Sequence, residues 1–196
     1  KLYKGSVTSD GSPLNEMAAC IAAGNHPNLI GIEGQILDHP QAQAGLVMQL
    51  IAPSFANLAG PPSLESCTRD IYPADLRLSL PVVLRIAQGI ASVTAHLHGC
   101  GITHGDLYGH NILWEPDGTC LLGDFGAASF HPTAALGEAL ERIETRAFGI
   151  LLGELLERCD DQGSQITALR QLQARCVQPQ IGARPRLREI ERRLQV

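Results

Sequence analysis

The sequence predicts an α+β chain, with strands and a single helix first and mainly helices afterwards. Two observations carry that expectation. A chain of 196 residues with 44% hydrophobic content can bury a real core in one or two domains. The order of local patterns then divides it into a smaller first part and a larger second part.

Taken in order, KLYKGSVT (1–8) reads as a strand ending at Gly5. Ser12 to Ala23 reads as a helix: Ser12 can cap it, Pro13 suits its first turn, and Gly24 stops it. Met17, Cys20 and Ile21 are expected on its buried face. HPNLIGIEGQIL suggests a strand, a turn and a loop holding His39 and Pro40, and LVMQLI (46–51) is a short apolar strand. Residues 53–78 hold four prolines and show no period. So long an unstructured loop is uncommon in a compact domain, so short helical pieces are expected there.

The strongest helix runs from about Leu80 to His98, capped by Ser79. Leu80, Val83, Leu84, Ala87, Ile90, Ala91, Thr94 and Leu97 form its stripe. ILW and TCLLGDF flank EPDG, whose Pro116, Asp117 and Gly118 are turn chemistry, so a hairpin is expected. From about Glu144 to Cys159 a helix is apolar nearly all round, which implies burial in the middle of the fold. Two more helical patterns, near 164–176 and 186–195, flank QPQIGARP.

The composition excludes some functions. A net charge of −5 argues against a broad basic face for nucleic acid. Thirteen of the fifteen basic residues are Arg, so chemistry that needs an ammonium must use Lys1 or Lys4. The six cysteines show no CxxC pair and most sit in apolar stretches, which reads as reduced, buried thiols in a cytoplasmic protein. His96 and His98 are two apart on a helix and point to different sides, so a metal site there is not expected. No apolar run approaches the ~20 residues that span a bilayer, and no membrane partner is expected.

The chemistry concentrates in HGDLYGHN (104–111) and DFG (124–126). Asp106 lies in the loop between the long helix and the hairpin, Asn111 just before the first hairpin strand, and Asp124 just after the second. A hairpin brings its ends together, so Asn111 and Asp124 should be neighbours. An amide oxygen and a carboxylate at close range suit magnesium, which shares its oxygen ligands with substrate phosphates. Asp106 could accept or orient the proton of an attacking hydroxyl.

This order of Asp, Asn five residues on and Asp thirteen further on resembles the HRD…N…DFG region of the protein kinase family. The resemblance extends over nearly the whole chain. NEMAACIAAG followed by HPNL resembles the family's helix C and the strand after it, and LVMQLI the strand entering the hinge. AFGILLGELL resembles helix F, and GARP the late Arg-Pro. It implies a bilobal kinase-like fold with a truncated N-lobe and hinge in 1–52 and a mainly helical C-lobe in 53–196.

The family's roles map residue by residue. Asp106 takes the place of the catalytic acid, Asn111 and Asp124 those of the magnesium ligands, and Glu16 that of the helix C glutamate. Lys1 matches the strand lysine that pairs with it and holds the ATP phosphates, with Lys4 as the alternative. Met48 stands at the gatekeeper position, and Ile51 would offer backbone groups to the adenine. ATP and Mg2+ are the implied cofactors.

The departures bear on function. No glycine-rich phosphate loop occurs in these residues; it would precede Lys1, so upstream strands, or a repeat domain as in some bacterial kinases attached to leucine-rich repeats, are expected in the intact protein, the alternative being a minimal kinase-like module. Gly105 replaces the Arg that receives an activation-loop phosphate. Only about twenty residues separate Asp124 from Glu144, which replaces the usual helix F Asp, and Ser129 and Thr133 are the hydroxyls between them considered for phosphorylation. Glu138 or Glu141 is expected to pair with Arg184. Tyr108 stands where Ser/Thr kinases carry Lys, leaving His110 as a possible cation. The expected function is a protein kinase, of the Ser/Thr type, acting on a protein hydroxyl. The alternatives are a small-molecule phosphotransferase like the aminoglycoside and choline kinases, which favour HGD, and a pseudokinase binding module.

Overall fold

Helix α2 (Leu80–Gly99) is the axis around which the larger part of the chain packs. A computed structural model describes residues 1–3, 12–131 and 134–195. Ile86, Ile90 and Leu97 of α2 are fully buried, as are Val83, Ala91 and Val93. Each large aliphatic side chain hidden this way contributes about 1.5–3 kcal/mol. The buried set is wider than one stripe because α2 is covered from several directions. Helix α5 (Leu187–Leu194), helix α3 (Ala134–Glu157) and strands β4 (Ile102–Thr103) and β6 (Cys120–Leu122) all pack on it. Its N-terminus is not capped by the Ser79 side chain; the Asp161 carboxylate accepts the Leu80 N–H at 2.6 Å instead.

In length and composition α2 could cross a membrane, contrary to the expectation that no apolar run is long enough. Its apolarity is accounted for by the core it fills.

The first part is small. Strands β1 (Ile32–Ile36) and β2 (Gly45–Met48) pair antiparallel, with Ile32 opposite Met48 and an irregularity between Ile32 and Gly34. Residues 1–3 run along the other side of β2: Leu2 bridges Gly45, and the Tyr3 N–H donates to Ala44 at 2.9 Å. The rest of the strand expected over 1–8 lies outside the described residues, and so does Lys4. Helix α1 (Pro13–Ala23) has the expected bounds, with Pro13 in its first turn and Gly24 at φ 63°, but the Ser12 side chain makes no capping hydrogen bond. Its buried face differs from the expected one. Cys20 is buried as expected and Met17 packs partly buried against the core, but Ile21 is exposed and Pro13, Glu16, Ala19 and Ala23 complete the inward face.

Strands β5 (Ile112–Trp114) and β6 form the expected hairpin, and β3 (Ala56–Asn57) adds to its edge. The turn closes with Gly118 at φ 90°. The hairpin also joins the two parts of the chain: the Leu122 N–H donates to Asn28 at 2.8 Å and the Ile30 N–H to Leu122 at 3.2 Å.

Residues 53–78 contain no helix, which corrects the expectation of short helical pieces. Turns, β3 and a bridge between Gly60 and Ile71 occupy them. Prolines at 53, 61, 62 and 73 each remove an N–H that a helix would use. Helix α3 begins ten residues before its expected start at Glu144, so its first turns follow closely on the preceding strand. That strand, β7 (Ser129–Phe130), is paired with β4. Helices α4 (Ser164–Cys176) and α5 fall where their periods put them.

Candidate active site

At the end of α2, Gly101 at φ 74° turns the chain into β4, which delivers His104 to the interior. The Asp106 N–H donates to His104 Nδ1 at 3.3 Å, so the proton of this imidazole sits on Nε2, which donates to the Gly123 carbonyl at 2.8 Å. His104 thereby ties the loop holding Asp106 to the strand end before Asp124. The Phe125 ring meets it edge-on, with centroids 5.2 Å apart.

Glu144 holds the same loop from α3. Its Oε1 accepts the Gly105 N–H at 2.7 Å, and its Oε2 accepts from His98 Nε2 at 2.8 Å and the His104 N–H at 3.2 Å. Burial, the largest influence on this carboxyl, pushes its pKa up. The hydrogen bond and charge of His98, with His104 and the Gly105 N–H, outweigh it and hold the pKa below the ordinary value. His96 faces elsewhere: its Nε2 lies 2.7 Å from the Ala23 carbonyl.

Gly105 has φ 81°, and a Cβ there would lie 2.4 Å from the Ala127 carbonyl oxygen. The side chain that occupies this position in the HRD pattern has no room here.

Asp106 and Asn111 are joined directly. Asn111 Nδ2 donates to the Asp106 carbonyl at 2.9 Å and to its Oδ2 at 2.7 Å. Both amide hydrogens are thereby used, which leaves Oδ1 as the ligating atom of Asn111. The Gly123 N–H donates to the Asn111 carbonyl at 3.0 Å, so the hairpin sets Asp124 one residue from that junction. Asp124 has φ 52°, a conformation uncommon for a residue with a Cβ, and its Oδ1 accepts the Gly126 N–H at 3.2 Å. One carboxylate, on a half-exposed side chain, and one amide oxygen are donors of the kind that suit a magnesium ion, whose other ligands would be phosphates and water.

Lys1 forms an ion pair with Glu16, and its Nζ lies 3.9 Å from Asp124 Oδ1. The Glu16 side chain is buried and that of Lys1 is 41% exposed. Met48, half-buried, lines a small cavity of about 20 Å3 together with Lys1, Glu16, Asp124 and Phe125. That space holds roughly one water. Ile51 lies beyond β2 and does not line it. Burial pushes the thiol of Cys20, at the same cavity, up to about 11, so it is not a nucleophile at neutral pH.

A second group of residues was invisible in the sequence. Asp70 is buried and accepts the N–H of Gly109 and of His110, each at 2.9 Å, and its Oδ1 lies 2.7 Å from His110 Nδ1. Arg69 donates to the Leu107 carbonyl at 3.1 Å, and its guanidinium lies over the Tyr108 ring, 4.1 Å from the centroid. Tyr72 packs against Gly109 and donates to Glu154 at 3.1 Å. The segment 69–72 therefore grips the loop from Leu107 to His110. His110 is engaged with Asp70, and a permanent cation, Arg69, stands beside Tyr108 as well.

The expected pairing of Glu138 or Glu141 with Arg184 is not formed. Arg184 donates to the carbonyls of Gln178, Arg142 and Pro179. Glu138 pairs with Arg142 at 3.1 Å and Arg186 at 2.6 Å, since α3 presents it to the turn before α5. Thr133 lies outside the described residues, and the Ser129 hydroxyl meets Thr103 Oγ1 at 2.9 Å.

Comparison with known proteins gives a consistent family. Residues 2–146 match the protein tyrosine and serine/threonine kinase family. Cyclin-dependent kinase C-2 C of Arabidopsis thaliana is 26% identical over 132 residues, covering 66% of this chain and 19% of that protein. The probable serine/threonine-protein kinase At1g54610 of the same plant is also 26% identical over 132 residues, covering 66% of this chain and 21% of that protein. A probable inactive L-type lectin-domain containing receptor kinase III.1, again from Arabidopsis thaliana, is 32% identical over 82 residues, covering 36% and 13%. The chain spans about a fifth or less of the length of each of these relatives.

Proposed function

Because the chain belongs to the protein tyrosine and serine/threonine kinase family, we propose that it transfers the γ-phosphate of ATP to a serine or threonine hydroxyl of a protein substrate. In this reading residues 1–52 contribute the smaller lobe and hinge, and 53–196 the larger lobe.

The observation that supports it best is the direct bond between Asn111 and Asp106 beside a lysine paired with Glu16 and 3.9 Å from Asp124. Asp106 accepts or orients the proton of the substrate hydroxyl. Asn111 fixes the Asp106 carboxylate through Nδ2 and, with Asp124, would hold Mg2+. The metal's contribution is to neutralise phosphate charge. Lys1, aimed by Glu16, contacts the phosphates, while Met48 and the Ile51 backbone border the adenine.

Calorimetry of ATP binding with and without magnesium, on this chain and on Asp124→Ala, is the first test. Magnesium-dependent binding that disappears in the variant supports the assignment; indifference of the variant sinks it. Phosphate transfer that survives Asp106→Asn would remove the catalytic acid from the scheme.

One observation favours a second reading. Strand β7 ends at Phe130 and α3 begins at Ala134, which leaves little chain to form a peptide platform. A small-molecule alcohol would need no such platform. Consumption of ATP with small alcohols or aminoglycosides, and not with peptides, would select that reading. The absence of turnover with all acceptors, despite nucleotide binding, would select a pseudokinase.

A further inference from the structure

Beside the candidate catalytic loop lies a cavity of about 330 Å3 whose polar wall is built from two arginines and two hydroxyls. Arg69 enters from the segment after β3 and Arg146 from α3. Thr103 and Ser129 come from the paired strands β4 and β7, and Tyr108 and Ile143 close the sides. A second, more open cleft of about 490 Å3 is lined by Asp106 and shares Arg69 and Tyr108 with the first. The two spaces therefore adjoin, and whatever presents a hydroxyl to Asp106 can extend towards Arg146.

The charge in the first cavity is unbalanced towards cation. Arg146 is exposed and has no ion pair among the described residues. Arg69 is partly balanced, with Nε 3.5 Å from Glu154 Oε1 and Nη2 donating to the Leu107 carbonyl at 3.1 Å, so Nη1 is its donor with no partner among the described residues. Glu144, the one acid among the described residues lining this cavity, has both oxygens committed to His98 and to the N–H groups of His104 and Gly105. The exposed guanidinium fork of Arg146 can recognise a carboxylate bidentately, and the Thr103–Ser129 hydroxyl pair, bonded to each other at 2.9 Å, keeps one further donor.

From this arrangement we infer that the cavity between Arg69 and Arg146 is a specificity subsite for an acidic side chain of the acceptor peptide, close in sequence to the hydroxyl that meets Asp106. The inference rests on the protein-kinase reading of the site and names its substrate class. These 196 residues carry a net −5, so overall charge does not draw an acidic peptide to them and a local basic site has to receive it. Preference for such a peptide is therefore a specific signature and not general charge attraction.

The test uses two fluorescein-labelled peptides, one with a serine flanked by glutamates and the other with glutamines in their place. Their affinities are measured by anisotropy at low ionic strength for the wild type, Arg146→Ala and Arg146→Lys. The wild type is expected to bind the glutamate peptide about tenfold more tightly. Arg146→Ala should lose that preference and Arg146→Lys should keep part of it, with ATP affinity unchanged in both. In transfer assays Arg146→Ala should raise KM for the glutamate peptide and leave kcat alone. A wild type that does not distinguish the peptides, or an Arg146→Ala variant that still does, overturns the inference. If no peptide is phosphorylated, the kinase reading fails, while the anisotropy preference still decides the subsite.

Discussion

Asp70 and His110 are bound twice: the Asp70 Oδ1 accepts the His110 main-chain N–H at 2.9 Å and its ring Nδ1 at 2.7 Å. The other oxygen of the same buried carboxylate takes the Gly109 N–H. Three donors of the candidate catalytic loop thus depend on one side chain forty residues away in sequence. Asp70→Ala leaves these donors without their acceptor, at about 1–3 kcal/mol for each one that stays buried. The expected result is a lower Tm and a kcat reduced roughly tenfold or more through misplacement of the loop. Asp70→Asn, which retains an acceptor oxygen, should recover part of both. A kcat unchanged in the folded alanine variant would show that Asp70 only stabilises.

Lys1 and Glu16 make a second prediction. Removing Lys1 strands a buried carboxylate, whereas its own partial exposure moderates the energy of the pair. Lys1→Met should weaken ATP binding about tenfold in calorimetry. Lys4→Met should leave it unchanged. The reverse pattern would assign the nucleotide lysine to position 4.

What could be read from the sequence depended on whether the information was periodic or positional. Helices α2, α4 and α5 and the hairpin announced themselves by apolar spacing and by Pro116, Asp117 and Gly118. The family resemblance around Glu16 pointed to Lys1, with Lys4 left as the alternative, and the ion pair places Lys1 beside Glu16. The grip of 69–72 on the catalytic loop was unreadable, because it consists of single side chains reaching across a non-repeating segment. Asp70 looks like any turn-forming aspartate until its burial is known. The start of α3 was missed because its first turns carry an exposed face that resembles a loop. The partner of Glu138 was missed because three arginines, at 142, 184 and 186, compete for it and only the packing of α3 on the following turn decides.

Gly105 sets a third prediction. Its φ of 81° and the Ala127 carbonyl oxygen, which stands where a Cβ would have to go, both exclude a side chain. Gly105→Ala should therefore destabilise the fold by at least the ~1–2 kcal/mol that the left-handed region costs an alanine. Gly105→Arg should be worse, although it restores the HRD pattern, and should lower both Tm and transfer activity. An arginine variant as stable and active as the wild type would mean that Ala127 moves aside without cost.

Glu144 gives the pH dependence. Its folded pKa lies below the ordinary carboxylate value, so protonation favours the unfolded chain. Its contribution is fully present above the unfolded value of about 4.3 and is lost as pH falls through the lower folded value. Glu154 acts in the opposite direction, since burial raises its pKa, so the raw acid limb of the stability curve is not diagnostic. The comparison with Glu144→Gln is. At neutral pH the glutamine variant should have the lower Tm, because the His98 ring and the N–H groups of His104 and Gly105 lose a charged acceptor. As pH falls below the unfolded value of about 4.3 the difference should shrink, since the unfolded carboxyl then takes up a proton that the folded one resists. A Tm gap that stays constant from neutral pH into acid would mean that Glu144 acts through shape rather than charge.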